Sequence, residues 1–211
     1  KLICASNDNK VLFDFFQTGV YDRRREFILT TSPSMDILIS SNLERLLYLA
    51  AGCDSAETSR LMSELSEKGV YEITPSMKEK MKDFTGGFAD QKENAEEIRH
   101  VFKDTGYLID THTGVASAVY RAYQKSSGDE TKTVIASTAS PYKFSRSVME
   151  AVCDPCETKL PEDEFELIDR MEQLSGVAQP TAVKEIRDAA IRHNRQCTPE
   201  EMKNMVREIL K

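Results

Sequence analysis

The 211 residues carry 28 Lys+Arg against 35 Asp+Glu, a formal net charge of −7, which argues against a general nucleic-acid binder. The length suffices for a substantial core, as one α/β domain or as one domain with a small helical appendage. No apolar run approaches the ~18 residues of a membrane-spanning helix and no signal peptide is recognisable, so a soluble cytoplasmic protein is the expectation.

Lys1 to Ala5 is predicted as a buried strand, and Ser6-Asn7-Asp8-Asn9 as a polar turn that caps the next helix or offers ligand groups. That helix carries Val11, Leu12, Phe15 and Phe16 on one face and stops at Gly19. Arg23-Arg24-Arg25 is a short basic cluster suited to a solvated loop. Phe27 to Ser41 lacks helical period and is expected to be extended. Ser41 and Glu44 have capping-box spacing for a helix buried through Leu43, Leu46, Leu47 and Ala50. Ser55 to Lys68 forms a further helix stopped by Gly69, and Thr74-Pro75 opens another with Met77, Met81 and Phe84 on its inner face.

Thr85-Gly86-Gly87-Phe88 reads as a flexible loop, followed by a capping box of Asp90 and Glu93 and a helix buried through Ala95, Ile98 and Phe102. Gly106 to Asp110 is expected as a short strand, Thr111-His112-Thr113-Gly114 as a polar turn, and the residues from Val115 as a helix. The run Val134-Ile135-Ala136 suits a strand covered on both faces, with Ser137 and Thr138 at its carboxyl end. Ser140 can cap the next helix and Pro141 fits its first position. Strand, polar turn and helix thus recur at Ser6-Asn7, Thr111-His112 and Ser137-Thr138. Turns at one edge of a parallel sheet converge on a ligand, although hydroxyls there can equally finish a turn.

Beyond Val152 the texture changes, giving an expected boundary between residues 1–152 and a linker with helical segment, 153–211. Helices are predicted over Phe165 to Leu174, Ala182 to His193 and Glu200 to Leu210, the last with a Thr198/Glu201 capping box. The five cysteines are odd in number and suit reduced thiols. Cys153 and Cys156, with His193 and Cys197, could supply four zinc ligands, but one Cys-x-x-Cys with distant partners is a weak signal, and no metal is assigned. No serine-hydrolase elbow, Walker loop or dinucleotide fingerprint is present.

Together, Lys1 to Asn9, Ser34-Met35-Asp36-Ile37-Leu38-Ile39-Ser40-Ser41-Asn42-Leu43-Glu44-Arg45, Asp110-Thr111-His112-Thr113 and Ser137-Thr138-Ala139-Ser140-Pro141-Tyr142-Lys143-Phe144 resemble the carboxyl-terminal half of threonine synthase, a pyridoxal-phosphate lyase of fold type II. The resemblance covers Lys1 to about Val152. It implies an α/β fold with a small, mostly parallel sheet flanked by helices and a helical carboxyl-terminal tail. It also implies conversion of O-phospho-L-homoserine and water to L-threonine and phosphate, with pyridoxal 5'-phosphate as electron sink.

By the same resemblance Thr138, with Ser137 beside it, matches the hydroxyl that meets the cofactor's pyridine nitrogen. Asn42 and Arg45 match a Ser-Asn-x-Glu-Arg segment, where Arg offers a planar fork to phosphate or else joins a cap and an ion pair. His112 and Asn7 match positions near the substrate. The family's cofactor lysine and Gly-rich phosphate loop lie upstream of Lys1, so no catalytic lysine is assigned. This chain alone is expected to be a fragment, inactive and without bound cofactor. An α/β binding or regulatory module of the same descent is the alternative. An edge exposed beside Leu2 to Ala5 would favour a homodimer.

Overall fold

A computed structural model describes residues 1–153 and 159–211, which fall into two compact units, Lys1–Ala178 and Gln179–Lys211. The first unit opens with β1 (Leu2–Ser6), α1 (Val11–Thr18) and β2 (Val20–Asp22). It continues with α2 (Leu43–Ala50), α3 (Ser55–Lys68), β3 (Val70–Glu72), α4 (Pro75–Lys80) and β4 (Phe84–Phe88). Four helices follow: α5 (Gln91–Thr105), α6 (Thr111–Ser127), α7 (Ser145–Val152) and α8 (Glu164–Ser175). The result is a mostly helical α/β unit around a small parallel sheet.

That sheet is β1 beside β4, paired parallel from Leu2↔Phe84 to Ser6↔Phe88. Its two glycines explain why helices cover both faces. Consecutive strand residues point to opposite faces. A Cβ on Gly86 would stand 2.9 Å from the Phe13 Cα of α1, and one on Gly87 would stand 2.4 Å from Val119 Cγ1 of α6. The Thr85–Phe88 stretch is therefore a strand and not the expected loop, its glycines serving close approach rather than flexibility.

The second strand pair, β2 with β3, is antiparallel and stacks Tyr21 on Tyr71 with ring centroids 5.2 Å apart. Those rings join Phe15, Leu47, Leu61 and Met77 in the larger core cluster. Burial pushes the Tyr21 hydroxyl's pKa up. That hydroxyl accepts from the Ser40 N–H (2.8 Å) and donates to the Leu38 carbonyl (3.1 Å), tethering the chain before α2.

Several expected elements take another form. Residues 133–136 are not a strand: Val134 is 95% exposed, and no described strand lies hydrogen-bonded beside it. An apolar run without a ladder partner leaves its backbone groups to water. Residues 106–110 are likewise irregular, since Leu108 and Ile109 are buried by packing alone. Ser41 makes no capping box; α2 starts at Leu43 and no side chain caps it. The turn at residues 6–9 does not cap α1 either, because its amides are engaged elsewhere. Asp90 and Glu93 do form their box, and Ser140 accepts from the Tyr142 N–H at 3.3 Å.

The first unit runs past Val152 to Ala178 because α8 packs on α7, with Val148, Met149, Leu167 and Met171 fully buried. Arg146 bonds Glu164 at 2.7 Å across the intervening segment. The second unit holds α9 (Thr181–Arg187) and α10 (Met202–Ile209). The helix expected to reach His193 ends at Arg187. Among the described residues no helix is long and apolar enough to cross a membrane.

Candidate functional site

The carboxyl end of β1 delivers Asn7 and Asn9 beneath a hydroxyl-rich loop, residues 28–36. Asn7 is 2% exposed, and its Nδ2 faces Thr30 Oγ1 at 2.8 Å, Ser32 Oγ at 3.0 Å and Asp36 Oδ1 at 2.7 Å. Asn9 acts as a second clamp: its Nδ2 donates to the Ile28 carbonyl (2.7 Å) and its Oδ1 accepts from the Ile28 N–H (2.9 Å). Asp36 closes the loop by accepting from the Thr30 hydroxyl at 2.7 Å and the Thr30 N–H at 2.9 Å. Buried amides remain stable in such a place only because nearly every polar atom has a partner.

The amino end of α6 holds the same loop from another side. Asp110 is the N-cap of α6, accepting from the His112 N–H at 2.8 Å, and its side chain is fully buried. The same oxygen, Oδ1, lies 3.0 Å from His112 Nδ1, while His112 Nε2 accepts from the Ser34 N–H at 3.1 Å. A nitrogen that accepts carries no hydrogen, so the neutral ring has its hydrogen on Nδ1, donated to Asp110. Phe144 flanks the imidazole with ring centroids 4.7 Å apart.

The other Asp110 oxygen accepts a short bond from the Thr113 hydroxyl. Thr113 Oγ1 also lies 2.9 Å from Ser137 Oγ. With the Thr113 hydrogen committed to Asp110, Ser137 is the donor in that second bond. Asn7, His112 in the first turn of α6 and Ser137 are thereby linked, the first two through loop 28–36 and the last two through Asp110. Asn94 of α5 also reaches this loop, its Nδ2 3.5 Å from Thr31 Oγ1. Two buried oxygens here, Asp8 Oδ2 and Asn94 Oδ1, have no protein partner among the described residues.

Thr138 is exposed, and among the described residues no hydrogen bond engages its side chain. Asn42 and Arg45 stand apart from the cluster. They bond each other, Arg45 Nη2 donating to Asn42 Oδ1 at 2.6 Å. Arg45 lines a cavity of about 490 Å3 between α2 and α3 with Ser41, Glu44, Tyr48 and Thr58. Among the described residues no hydrogen bond connects that pair to His112 or Asn7. Cys156 of the Cys-x-x-Cys pair lies outside the described residues, and no group of three or more potential metal ligands occurs within them.

Asp36, Asp110 and Thr113 join the site without having stood out in the sequence as functional residues. The signal for Asp110 was its place directly before Thr-His-Thr, where an aspartate caps a helix.

As for a pyridoxal-phosphate cofactor, Thr138 carries a hydroxyl without a partner among the described residues, next to Ser137, which Thr113 holds. Neither residue lines any of the five described cavities.

The fold matches that of a threonine synthase from Brucella melitensis solved with pyridoxal phosphate bound. The TM-score is 0.64 at 35% identity, over 80% of this chain and 35% of that one. A family model described as threonine synthase, C-terminal, matches residues 113–191. The curated threonine synthase of Saccharomyces cerevisiae is 35% identical over 167 residues, 72% of this chain and 32% of its own length. Threonine synthase-like 1 of Homo sapiens is 40% identical over 155 residues, 72% of this chain and 20% of that protein. The architecture is thus the α/β architecture of threonine synthases. These similarities all run to threonine synthases, and the family model they include is that of the carboxyl-terminal region. The chain spans a third or less of the length of the curated relatives named here.

Proposed function

We infer that this chain is the carboxyl-terminal part of a pyridoxal-phosphate lyase that converts O-phospho-L-homoserine and water to L-threonine and phosphate. The observation that carries this reading is the hydrogen-bonded junction of Asn7, loop 28–36, His112, Asp110 and Ser137, in a chain of threonine synthase descent. In that assembly the cofactor would supply an electron sink for carbanions on the substrate. Thr138 would place a hydroxyl at the pyridine nitrogen, and Ser137 would hold the segment through Thr113. A neutral hydroxyl does not hold a proton on that nitrogen strongly, unlike a carboxylate.

Asn7 and His112 would shape the substrate side by fixing loop 28–36 between them. Arg45, steadied by Asn42, would offer its planar fork to the substrate phosphate from the separate α2–α3 cavity. The chain by itself supplies no lysine in the required context and would neither bind the cofactor covalently nor turn over substrate. Cytoplasmic location and pairing of two chains along the edge of β1 that no described strand covers go with this reading.

The test is a protein expressed from a reading frame extended upstream of the Lys1 codon. Phosphate release from O-phospho-L-homoserine, dependent on pyridoxal phosphate and reduced at least tenfold by Thr138→Val, is the expected result. Full activity in Thr138→Val would overturn the assignment of that hydroxyl. One observation favours a second reading, a non-catalytic binding module: Thr138 stands on an exposed irregular segment and not at a strand end. An upstream sequence without a cofactor lysine would support that module and contradict the enzyme.

A further inference from the structure

The buried Asp110 carboxylate does more than cap a helix. One oxygen receives both the backbone N–H and Nδ1 of His112, and the other receives the Thr113 hydroxyl that in turn holds Ser137. We propose that Asp110 is a positioning residue that locks His112 with its hydrogen on Nδ1 and its Nε2 lone pair on Ser34, while setting Ser137 through Thr113. The inference rests on the reading of His112 and Ser137 as ligand-facing groups, but its test needs neither cofactor nor substrate.

Matching of donors to acceptors imposes this arrangement. A neutral imidazole has one donor and one acceptor nitrogen, and the bond made by one nitrogen fixes the other. Free histidine favours the hydrogen on Nε2, which here would set two N–H groups against each other at Ser34. A carboxylate opposite Nδ1 removes that conflict because it can only accept. His112 then pins loop 28–36 at Ser34, opposite the clamps that Asn7 and Asn9 apply at Thr30 and Ile28. Thr113 carries the same constraint to the segment bearing Ser137 and Thr138. A single buried group thus registers the two sides of the candidate site against each other.

Long-range nitrogen–proton spectra of the 15N-labelled chain report the tautomer of His112 directly. The expected native spectrum shows Nδ1 in the protonated range and Nε2 in the unprotonated range, and the reverse assignment would overturn the proposal outright. Asp110→Ser keeps a capping oxygen but removes the acceptor facing Nδ1. It should drive the two nitrogen shifts together and speed hydrogen exchange at the Ser34 amide at least tenfold. Unchanged shifts and unchanged Ser34 protection in that variant would refute it.

Asp163→Ser, which alters the equivalent cap of α8, separates positioning from capping, because it should leave His112 unmoved. Should Asp110→Ser fail to fold, Thr113→Val tests the other branch: the Ser137 and Thr138 amide signals should shift while the His112 tautomer stays. Shifts at neither residue would contradict the proposal. A tautomer that behaves as expected, in an extended protein that releases no phosphate, would refute the enzymatic reading and leave the positioning role standing.

Discussion

Replacing Gly87 by Ala tests the close approach that makes the parallel sheet two-faced. The new methyl carbon would sit 2.4 Å from Val119 Cγ1 and 3.4 Å from its Cβ. Ordinary carbon contacts are about 3.5–4.0 Å, so one partner must yield by about 1 Å. Val119 has little room to do so, since it is 3% exposed and a β-branched side chain in a helix has one strongly preferred rotamer. Overpacking of this kind costs about 1–3 kcal/mol. Against it stands a gain of about 0.4–1 kcal/mol from the reduced freedom of the unfolded chain.

A net loss of about 1–2 kcal/mol is expected, measured by urea unfolding at constant m. The sharper assay is the cycle with Val119→Ala, which removes both offending methyls. The methyl added by Gly87→Ala should then be tolerated, giving a favourable coupling of about 1 kcal/mol or more. Strict additivity of the two substitutions would refute the steric account. Gly86→Ala should resist such rescue, because its obstacle is the Phe13 backbone.

Other expectations concern the core and the loop. Tyr21→Phe should cost about 1–3 kcal/mol by leaving the Ser40 N–H without its buried acceptor, whereas Tyr71→Phe, whose hydroxyl forms no described hydrogen bond, should be neutral or slightly stabilising in the same unfolding assay. Asn7→Ala should lose about 2–3 kcal/mol and speed hydrogen exchange at the Thr30 amide, which Asp36 now holds; unchanged exchange would detach Asn7 from the loop. Burial pushes the Cys4 thiol up to about 11, so thiol reagents at neutral pH should label the exposed Cys53 and Cys197 first and Cys4 only on unfolding. Because the unfolded thiol ionises first, Cys4 should also lower stability as pH rises from about 9 to about 11, a slope that Cys4→Ala removes.

Helices announced themselves in the sequence wherever local chemistry decided the matter. Asp90 with Glu93, Ser140 with Pro141, and the left-handed glycines at 19, 69 and 176 mark ends that the fold keeps. Strands were harder because a strand is made by its neighbour. Val134 and Ile135 have strand-like side chains and no ladder, while Gly86 and Gly87 have loop-like composition and a full one. The three polar stretches could be recognised from their residues, although residues 111–114 form the first turn of α6 on the Asp110 cap and not a turn ahead of it; their connection could not be recognised. It depends on Asp36 and Thr113, whose oxygens meet groups 24–29 positions away only after the chain has folded. Asn42 and Arg45, adjacent in motif to that loop, end in a different groove because α2 packs against α3 and Arg45 lines the space between them.

The central claim is that Thr138, held beside Ser137 and the Asp110 junction, is the hydroxyl that meets a cofactor ring. A crystal structure of the upstream-extended protein with pyridoxal phosphate measures this most directly. The predicted result is Thr138 Oγ1 within hydrogen-bonding distance of the pyridine nitrogen, with His112 still on Ser34. A cofactor bound with Thr138 facing solvent, or seated away from loop 28–36, would contradict it.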